Sequence, residues 1–383
     1  MRRALIALAL IAGLAGCQTV GGWWDDWFGS GDKTPPAPLV AFKPSLDVKL
    51  RARADIGGAG GSIFTPALTK EGLFAAGYNG EIARFDATTL KEIWRVKTGK
   101  KLSGGVGAGD GLVVVGTPKG EVLTYDLNGK ARWQAQVTSE VLSAPQVAGD
   151  VVLVRSGDGR IFAFDAKDGK RKWLYQRAMP SLTVRSFGGV MVEKNAVFAG
   201  FGGGKLVALE LENGGVGWEA PVALPHGVSE LERIADITSN PVTDGNTVCA
   251  VAFQGRVACF EIRTGNLIWA RDMSSVAGMA MDARNVYVSD VNGTVHALDK
   301  ATGGYLWKQD KLAHRQLSAP LIYRGYVVVG DVQGYVHFLS REDGAFAARV
   351  STDGSPIRAQ PVALTDGVLV QTKKGGLFVL GLN

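Results

Sequence analysis

Gly159-Arg160-Ile161-Phe162-Ala163-Phe164-Asp165-Ala166-Lys167-Asp168-Gly169-Lys170-Arg171-Lys172-Trp173 is the stretch that decides the fold. A glycine opens a short apolar run that ends on an acid, an Asp-Gly turn follows, and a second run carries a tryptophan 14 residues after the glycine. Two short strands joined by a tight turn is the natural reading, because Asp-Gly readily supplies the positive φ that hairpin turns use. The same frame opens at Gly80, Gly120, Gly204, Gly255, Gly293, Gly334 and Gly375, so consecutive markers are 40, 39, 45, 51, 38, 41 and 41 residues apart. Six of the eight units place a tryptophan 13 or 14 residues on: Trp94, Trp133, Trp173, Trp218, Trp269 and Trp307. The seventh has Ala348 there, with Phe346 beside it, and the eighth runs out of chain.

Each unit reads as four strands. In the third, these are predicted at 142–148, 151–156, 161–164 and 172–176, with turn residues at each joint. Four strands per roughly 40 residues is a propeller blade. The prediction is therefore all-β: an eight-bladed β-propeller of four-stranded antiparallel blades over residues 45–383. The eighth unit has room for three strands only, near 357–364, 368–372 and 377–380, whereas 46–54 alternates like a strand and has no blade of its own. The N-terminal strand is expected to complete the last blade. On that reading, deleting 46–54 destabilises the ring, and deleting 18–44 leaves its melting temperature unchanged.

Composition agrees. Fifty-two glycines suit a chain full of turns, and 46% hydrophobic against 20% charged residues excludes a disordered or collagen-like polymer. A net charge of +6, from 42 basic and 36 acidic residues, is too dilute to argue for nucleic acid.

The first residues read as an address. Met1-Arg2-Arg3 is basic and 4–14 is apolar but too short to span a bilayer, which marks residues 1–16 as a secretory signal. It ends in Leu14-Ala15-Gly16-Cys17, which resembles the bacterial lipobox, so Cys17 is expected to carry lipid and begin the mature protein in the periplasm. Gln18 in place of Asp implies, by the sorting rule of that class, the outer membrane. Residues 17–44, rich in glycine and proline, are expected to form a lipidated flexible tether. Within it, Trp23-Trp24-Asp25-Asp26-Trp27-Phe28 suits a membrane interface or a docking peptide.

Chemistry-bearing motifs are missing. His226, His296, His314 and His337 fall in different units without metal-ligand spacing, Gly202-Gly203-Gly204-Lys205 lacks the phosphate-loop pattern, and no Gly-x-Ser-x-Gly elbow occurs. No catalytic residue, metal site or cofactor is predicted, and the chain does not read as an enzyme. Cys249 and Cys259 flank Phe253-Gln254-Gly255. A three-residue loop would face them across adjacent strands, where an oxidising compartment permits a disulfide; a two-residue loop would put them on opposite faces.

The segments Asp165 to Trp173, Glu261 to Trp269 and Asp299 to Trp307 resemble the tryptophan-docking motif of quinoprotein dehydrogenases, which bind pyrroloquinoline quinone (PQQ). A periplasmic PQQ-binding dehydrogenase is the alternative this implies. Such enzymes also use a calcium site, a catalytic aspartate and usually a vicinal disulfide, and this chain has no adjacent cysteines. Together with the lipobox, residues 17–383 resemble the BamB family, propeller lipoproteins of the outer-membrane β-barrel assembly (BAM) machinery. The resemblance implies a non-enzymatic scaffold anchored by lipid at the periplasmic face of the outer membrane. It implies the POTRA domains of BamA and the other BAM lipoproteins as partners, and unfolded outer-membrane proteins as clients.

In that family two segments lie close together and contact BamA. Here they correspond to Ser181–Ser186, placed by the repeat in the fourth unit's first-strand region, and to 229–241, in the connection before the fifth. Carried over by position, the partner-binding residues are Leu182, Val184, Arg185 and Asp236, with Thr238 where the family often has a second acid. The 51-residue interval independently marks a long loop on a rigid frame, and arginine beside apolar residues is a frequent interface anchor. The purely structural alternative pairs Arg185 with Asp236 and puts Leu182 and Val184 in the blade core.

Overall fold

The computed structural model describes residues 34–382; the signal segment, Cys17 and the Trp23–Phe28 patch lie outside the described residues. In the third unit, Ile161–Asp165 pairs antiparallel with Val151–Arg155 on one side and Arg171–Tyr175 on the other, and Gln146–Ala148 completes the sheet. The middle two strands are almost wholly buried, while the fourth alternates and forms the outer edge. Seven further sheets repeat this order, giving an eight-bladed β-propeller. The first strands are shorter than the pattern suggests, because residues near the axis pack on the neighbouring blade instead of pairing: Val141 and Ser143 press against Gly104 of the second blade.

The ring closes through its N-terminus as predicted. Val48–Asp55 runs antiparallel to Gly376–Leu382, with Leu50 opposite Leu380 and Asp55 opposite Gly376, and supplies the outer strand of the eighth blade. Seven of the eight marker glycines have positive φ. The exception is Gly255, where Gln254 takes the left-handed position. That turn has three residues, closed by Ala252 N–H donating to the Arg256 carbonyl, so Cys249 and Cys259 sit directly opposite one another and are joined by a disulfide with a Cα–Cα distance of 4.1 Å.

Adjacent blades are locked by the tryptophans. Each indole N–H donates to a carbonyl in the next blade's turn between third and fourth strands: Trp94 to Leu127 at 2.8 Å, Trp173 to Leu211 at 2.9 Å, Trp269 to Lys300 at 2.6 Å, and likewise for the other three. The glycine of that turn lies flat on the ring. A Cβ on Gly303 would stand 2.5 Å from Trp269, and its φ of +69° already favours glycine. Large on one side and absent on the other, the pair buries an aromatic face and satisfies its donor together.

Two seams lack the tryptophan, and both flank the closing blade. Between the eighth and first blades, Ala52 faces Val379 in the tryptophan register, and the receiving turn carries Leu90 at φ 52° where other turns have glycine. Leu90 is buried in one cluster with Ala52 and Ala54. Between the seventh and eighth, Ala348 occupies the tryptophan register, and Leu46 and Val48 pack against the core cluster that contains Ala347 and Ala348.

The segment before the closing strand is not free tether. The packed unit begins at Ala37 rather than at 45. Ala37 N–H donates to the Ala313 carbonyl at 2.9 Å, Arg315 Nη1 donates to the Ala37 carbonyl at 2.8 Å, and Arg349 Nη1 donates to the Val40 carbonyl at 3.1 Å. Phe42 stacks on Phe346 at 5.3 Å beneath the Arg349 guanidinium, and Ser45 N–H reaches the Ala347 carbonyl at 3.0 Å. Residues 37–45 thus form a strap along the seventh blade's outer edge. Residues 37–44 are thus packed on the ring, where the expectation made the whole of 17–44 flexible; the seventh blade, having no tryptophan, receives the strap on its outer edge.

Two arginines holding the strap belong to a buried network. Arg315 Nε donates to Asp331 Oδ2 at 2.7 Å, His337 Nε2 lies 2.8 Å from the same oxygen, and Arg349 Nε lies 3.3 Å from His337 Nδ1. An arginine can only donate, so Nδ1 accepts and His337 is the neutral Nε2–H tautomer. Burial, against the pull of Asp331, holds its pKa below the usual histidine value.

Candidate functional site

In a propeller of antiparallel strands, the connections between blades and the turns between second and third strands share one face. On this face, the connections 176–189 and 222–241 flank the fourth blade and are the longest in the third to fifth blades. Ser181–Ser186 is loop rather than first strand, which begins at Val190. The reason is visible in its bonding: side chains of the two connections take the place of a ladder. Val184 N–H donates to Asp236 Oδ2 at 2.6 Å, Ser186 Oγ donates to the Thr238 carbonyl at 3.3 Å, and Gly189 N–H donates to Asn240 Oδ1 at 2.6 Å. The two sequence-flagged segments are therefore stitched side by side at two- to three-residue steps.

Asp236 is the hub. Its second oxygen accepts from Gly203 N–H at 2.9 Å and its backbone carbonyl accepts from Phe253 N–H at 2.8 Å, so one residue joins both connections to two turns. It is 2% exposed, and burial raises its pKa above the usual aspartate value against those amide bonds. Below lies Arg155, whose Nη1 donates to the Gly188 carbonyl at 3.0 Å and whose guanidinium covers the Phe201 ring at 4.9 Å. Burial lowers its pKa to about 10, opposed by the charge of Asp236, which leaves it protonated at neutral pH.

The four residues flagged from sequence separate into two layers. Leu182, 45% exposed, and Arg185 are at the surface; Val184 and Asp236 are buried. Arg185 does not pair with Asp236. Its Nη2 donates to Glu140 Oε2 at 2.8 Å, on the preceding connection, and its guanidinium stands over Phe187. Sequence reasoning passed over Leu224 and Val228 and named Leu231 only within the segment 229–241; the longer connection exposes all three to solvent, Val228 completely. The signal was the presence of apolar residues inside the insert that lengthens the repeat. Glu232 secures that insert by accepting from the amides of Val228 and Ser229. The arrangement offers rigid, mixed apolar and charged relief suited to binding a protein surface.

Elsewhere the chemistry is structural. His296 Nε2 lies 2.9 Å from Asp290, as His337 does from Asp331 one blade on, an Asp–His pair repeated by the blade register. Among the described residues, no group of three or more His, Cys, Asp or Glu is placed to hold a metal ion.

A family model described as outer membrane protein assembly factor BamB matches residues 78–309. A protein of that name from Nitrosomonas eutropha is 47% identical, over 98% of this chain and 94% of its own. The crystal structure of BamB from Moraxella catarrhalis superposes with a TM-score of 0.81 at 26% identity, covering 88% of this chain and 100% of that one. A quinohemoprotein alcohol dehydrogenase from Comamonas testosteroni superposes with a TM-score of 0.71 over 95% of this chain and 82% of its own, but at 14% identity, which is a likeness of fold alone.

Proposed function

The chain belongs to the BamB family of outer membrane protein assembly factors, and from that premise we propose that it is a non-enzymatic scaffold of the BAM machinery, docking onto the POTRA domains of BamA through the face built by 176–189 and 222–241. Lipid on Cys17 would hold it at the periplasmic side of the outer membrane. The observation that carries the docking assignment is the exposure of Leu182, Leu224, Val228 and Leu231 beside Arg185, on connections fixed from beneath. Other exposed apolar side chains, such as Ile93, Leu267 and Leu306, sit on the outer strands of separate blades, whereas these four gather on two adjoining connections; such a cluster favours cover by a partner, and rigid support lowers the ordering cost of association. Leu182 and Arg185 are the contact residues in this reading; Val184 and Asp236 act from below. The other BAM lipoproteins are further partners and unfolded outer-membrane proteins are the clients.

The test is recovery from membranes in mild detergent. The wild-type protein brings BamA with it, and Leu182→Asp and Arg185→Glu lose BamA at unchanged melting temperature. Normal recovery with both variants overturns the assignment. The dehydrogenase alternative is tested separately: a stoichiometric chromophore on adding PQQ and calcium would overturn the non-enzymatic reading.

A further inference from the structure

We propose that Arg155, which no sequence motif singles out, is a positioning residue of the docking face: its guanidinium fills the socket beneath 185–189 and thereby turns Arg185 outward. The inference rests on the docking role given above. The repeat is broken at this position. Four residues before each marker glycine, the other seven blades carry a neutral residue, and only the third has a charge. In the second, fourth and seventh blades that residue is Gly116, Gly200 or Gly330, and each receives an apolar plug from the following connection: Val141, Ile237 and Ile357, whose side chains lie within 2.1–2.3 Å of where a Cβ would be.

In the third blade the socket is filled from the strand instead. Arg155 ends Val151–Arg155, is 8% exposed, packs on Phe201 and donates to the carbonyls of Gly188 and, at 3.5 Å, Gly189. Because the strand supplies the filling, Arg185, which lies five residues before the first strand as Val141, Ile237 and Ile357 do in their blades, need not point inward. Arg185 points outward to Glu140, and Gly188 lies close enough to Thr238 and Ser239 for the stitching to Asp236 and Asn240. Charge-assisted bonds to buried carbonyls are stronger than neutral ones, so the cation sets the height of the loop as well as filling space.

The experiment compares Arg155→Met, which keeps most of the volume without the donors, and Arg155→Lys, which keeps the charge, in the full-length protein. Two readouts are taken: amide hydrogen exchange along the chain, and affinity for a soluble POTRA fragment of BamA. Arg155→Met is expected to speed exchange at least tenfold in 181–189 with the blades unchanged, and to weaken binding about tenfold; Arg155→Lys should restore most of both. If the wild type binds and Arg185→Glu weakens it, yet Arg155→Met changes neither exchange nor affinity, Arg155 has no positioning role. Should Arg155→Met melt the whole ring, exchange in the Lys variant decides: loosening confined to 181–189 supports the role, and uniform loosening overturns it. A wild type that does not bind overturns the docking role itself, whatever the exchange shows.

Discussion

Ala52 stands in the tryptophan register of the closing strand, and Leu90 stands in the glycine position of the turn that strand faces, so the seam between last and first blades inverts the large and small partners used at six others. The leucine accepts an unfavourable φ to fill space that an indole fills elsewhere.

Leu90→Gly should therefore cost about 2–4 kcal/mol by cavity formation, less the roughly 1 kcal/mol regained from backbone relief. Ala52→Trp alone should also destabilise, by overpacking. Combined, they recreate the pair found at the other seams, and a double-mutant cycle in urea should show favourable coupling of about 1 kcal/mol or more. Strict additivity would mean that the two sites do not share one space.

Two glycines separate the cost of φ from the cost of contact. Gly99 has φ +72° with nothing within 4 Å of where a Cβ would stand, whereas Gly303 has φ +69° with the Trp269 ring at 2.5 Å. Gly99→Ala should lose about 1 kcal/mol and Gly303→Ala about 2–3 kcal/mol more. Equal losses in chemical denaturation would remove the ring contact from the account.

Truncation should divide at Ala37. A chain starting at residue 37 should melt like the full-length protein, while one starting at 46 leaves Arg315 and Arg349 without the Ala37 and Val40 carbonyls and should melt about 5 °C lower, by calorimetry. Identical melting of both would return the whole of 17–44 to free tether.

Acid should loosen the same corner. His337 has a folded pKa below 6.5, so between that value and 6.5 the unfolded chain binds the extra proton; its stabilisation is complete above pH 6.5 and is lost as pH falls through the folded pKa. The slope is at most about 1.4 kcal/mol per pH unit. Asp331 is pushed up by burial, but its bonds to His337 and Arg315 outweigh this and hold it below 3.8, so its share is lost only at lower pH. His337→Gln retains a donor toward Asp331 and cannot titrate. Stability measured by urea at pH 7 and pH 5.5 should fall less in this variant than in the wild type; an equal fall would assign the slope elsewhere.

The blade count, the closure and the lock between blades were legible because each is written many times over: a glycine, an acid and a tryptophan at fixed offsets report one geometry in unit after unit. What occurs once was harder to read. The strap depends on Arg315 and Arg349 reaching carbonyls some 278 and 309 residues earlier, and nothing in the glycine- and proline-rich composition of that segment announces them. Leu182 and Arg185 were legible through family resemblance, but their layering over Val184 and Asp236 was not, since loop residues stitched by side chains show no period. Arg155 does break the repeat as the one charge four residues before a marker glycine, but its reach to the Gly188 carbonyl across the seam has no sequence signature.

The strap also lies between the preceding chain and the strand that closes the circle. A pull applied to the chain ahead of Ala37 would pass through the bonds of Ala37 to Ala313 and Arg315 in the sixth-to-seventh connection, then along the blade edge through Arg349, Phe42 and Ser45. Only after those contacts part does tension reach Val48 and the strand that closes the circle. The closing strand would thus be shielded by a strain relief, much as a clamp protects a cable at its terminal, and the ring could stay shut while the strap gives way.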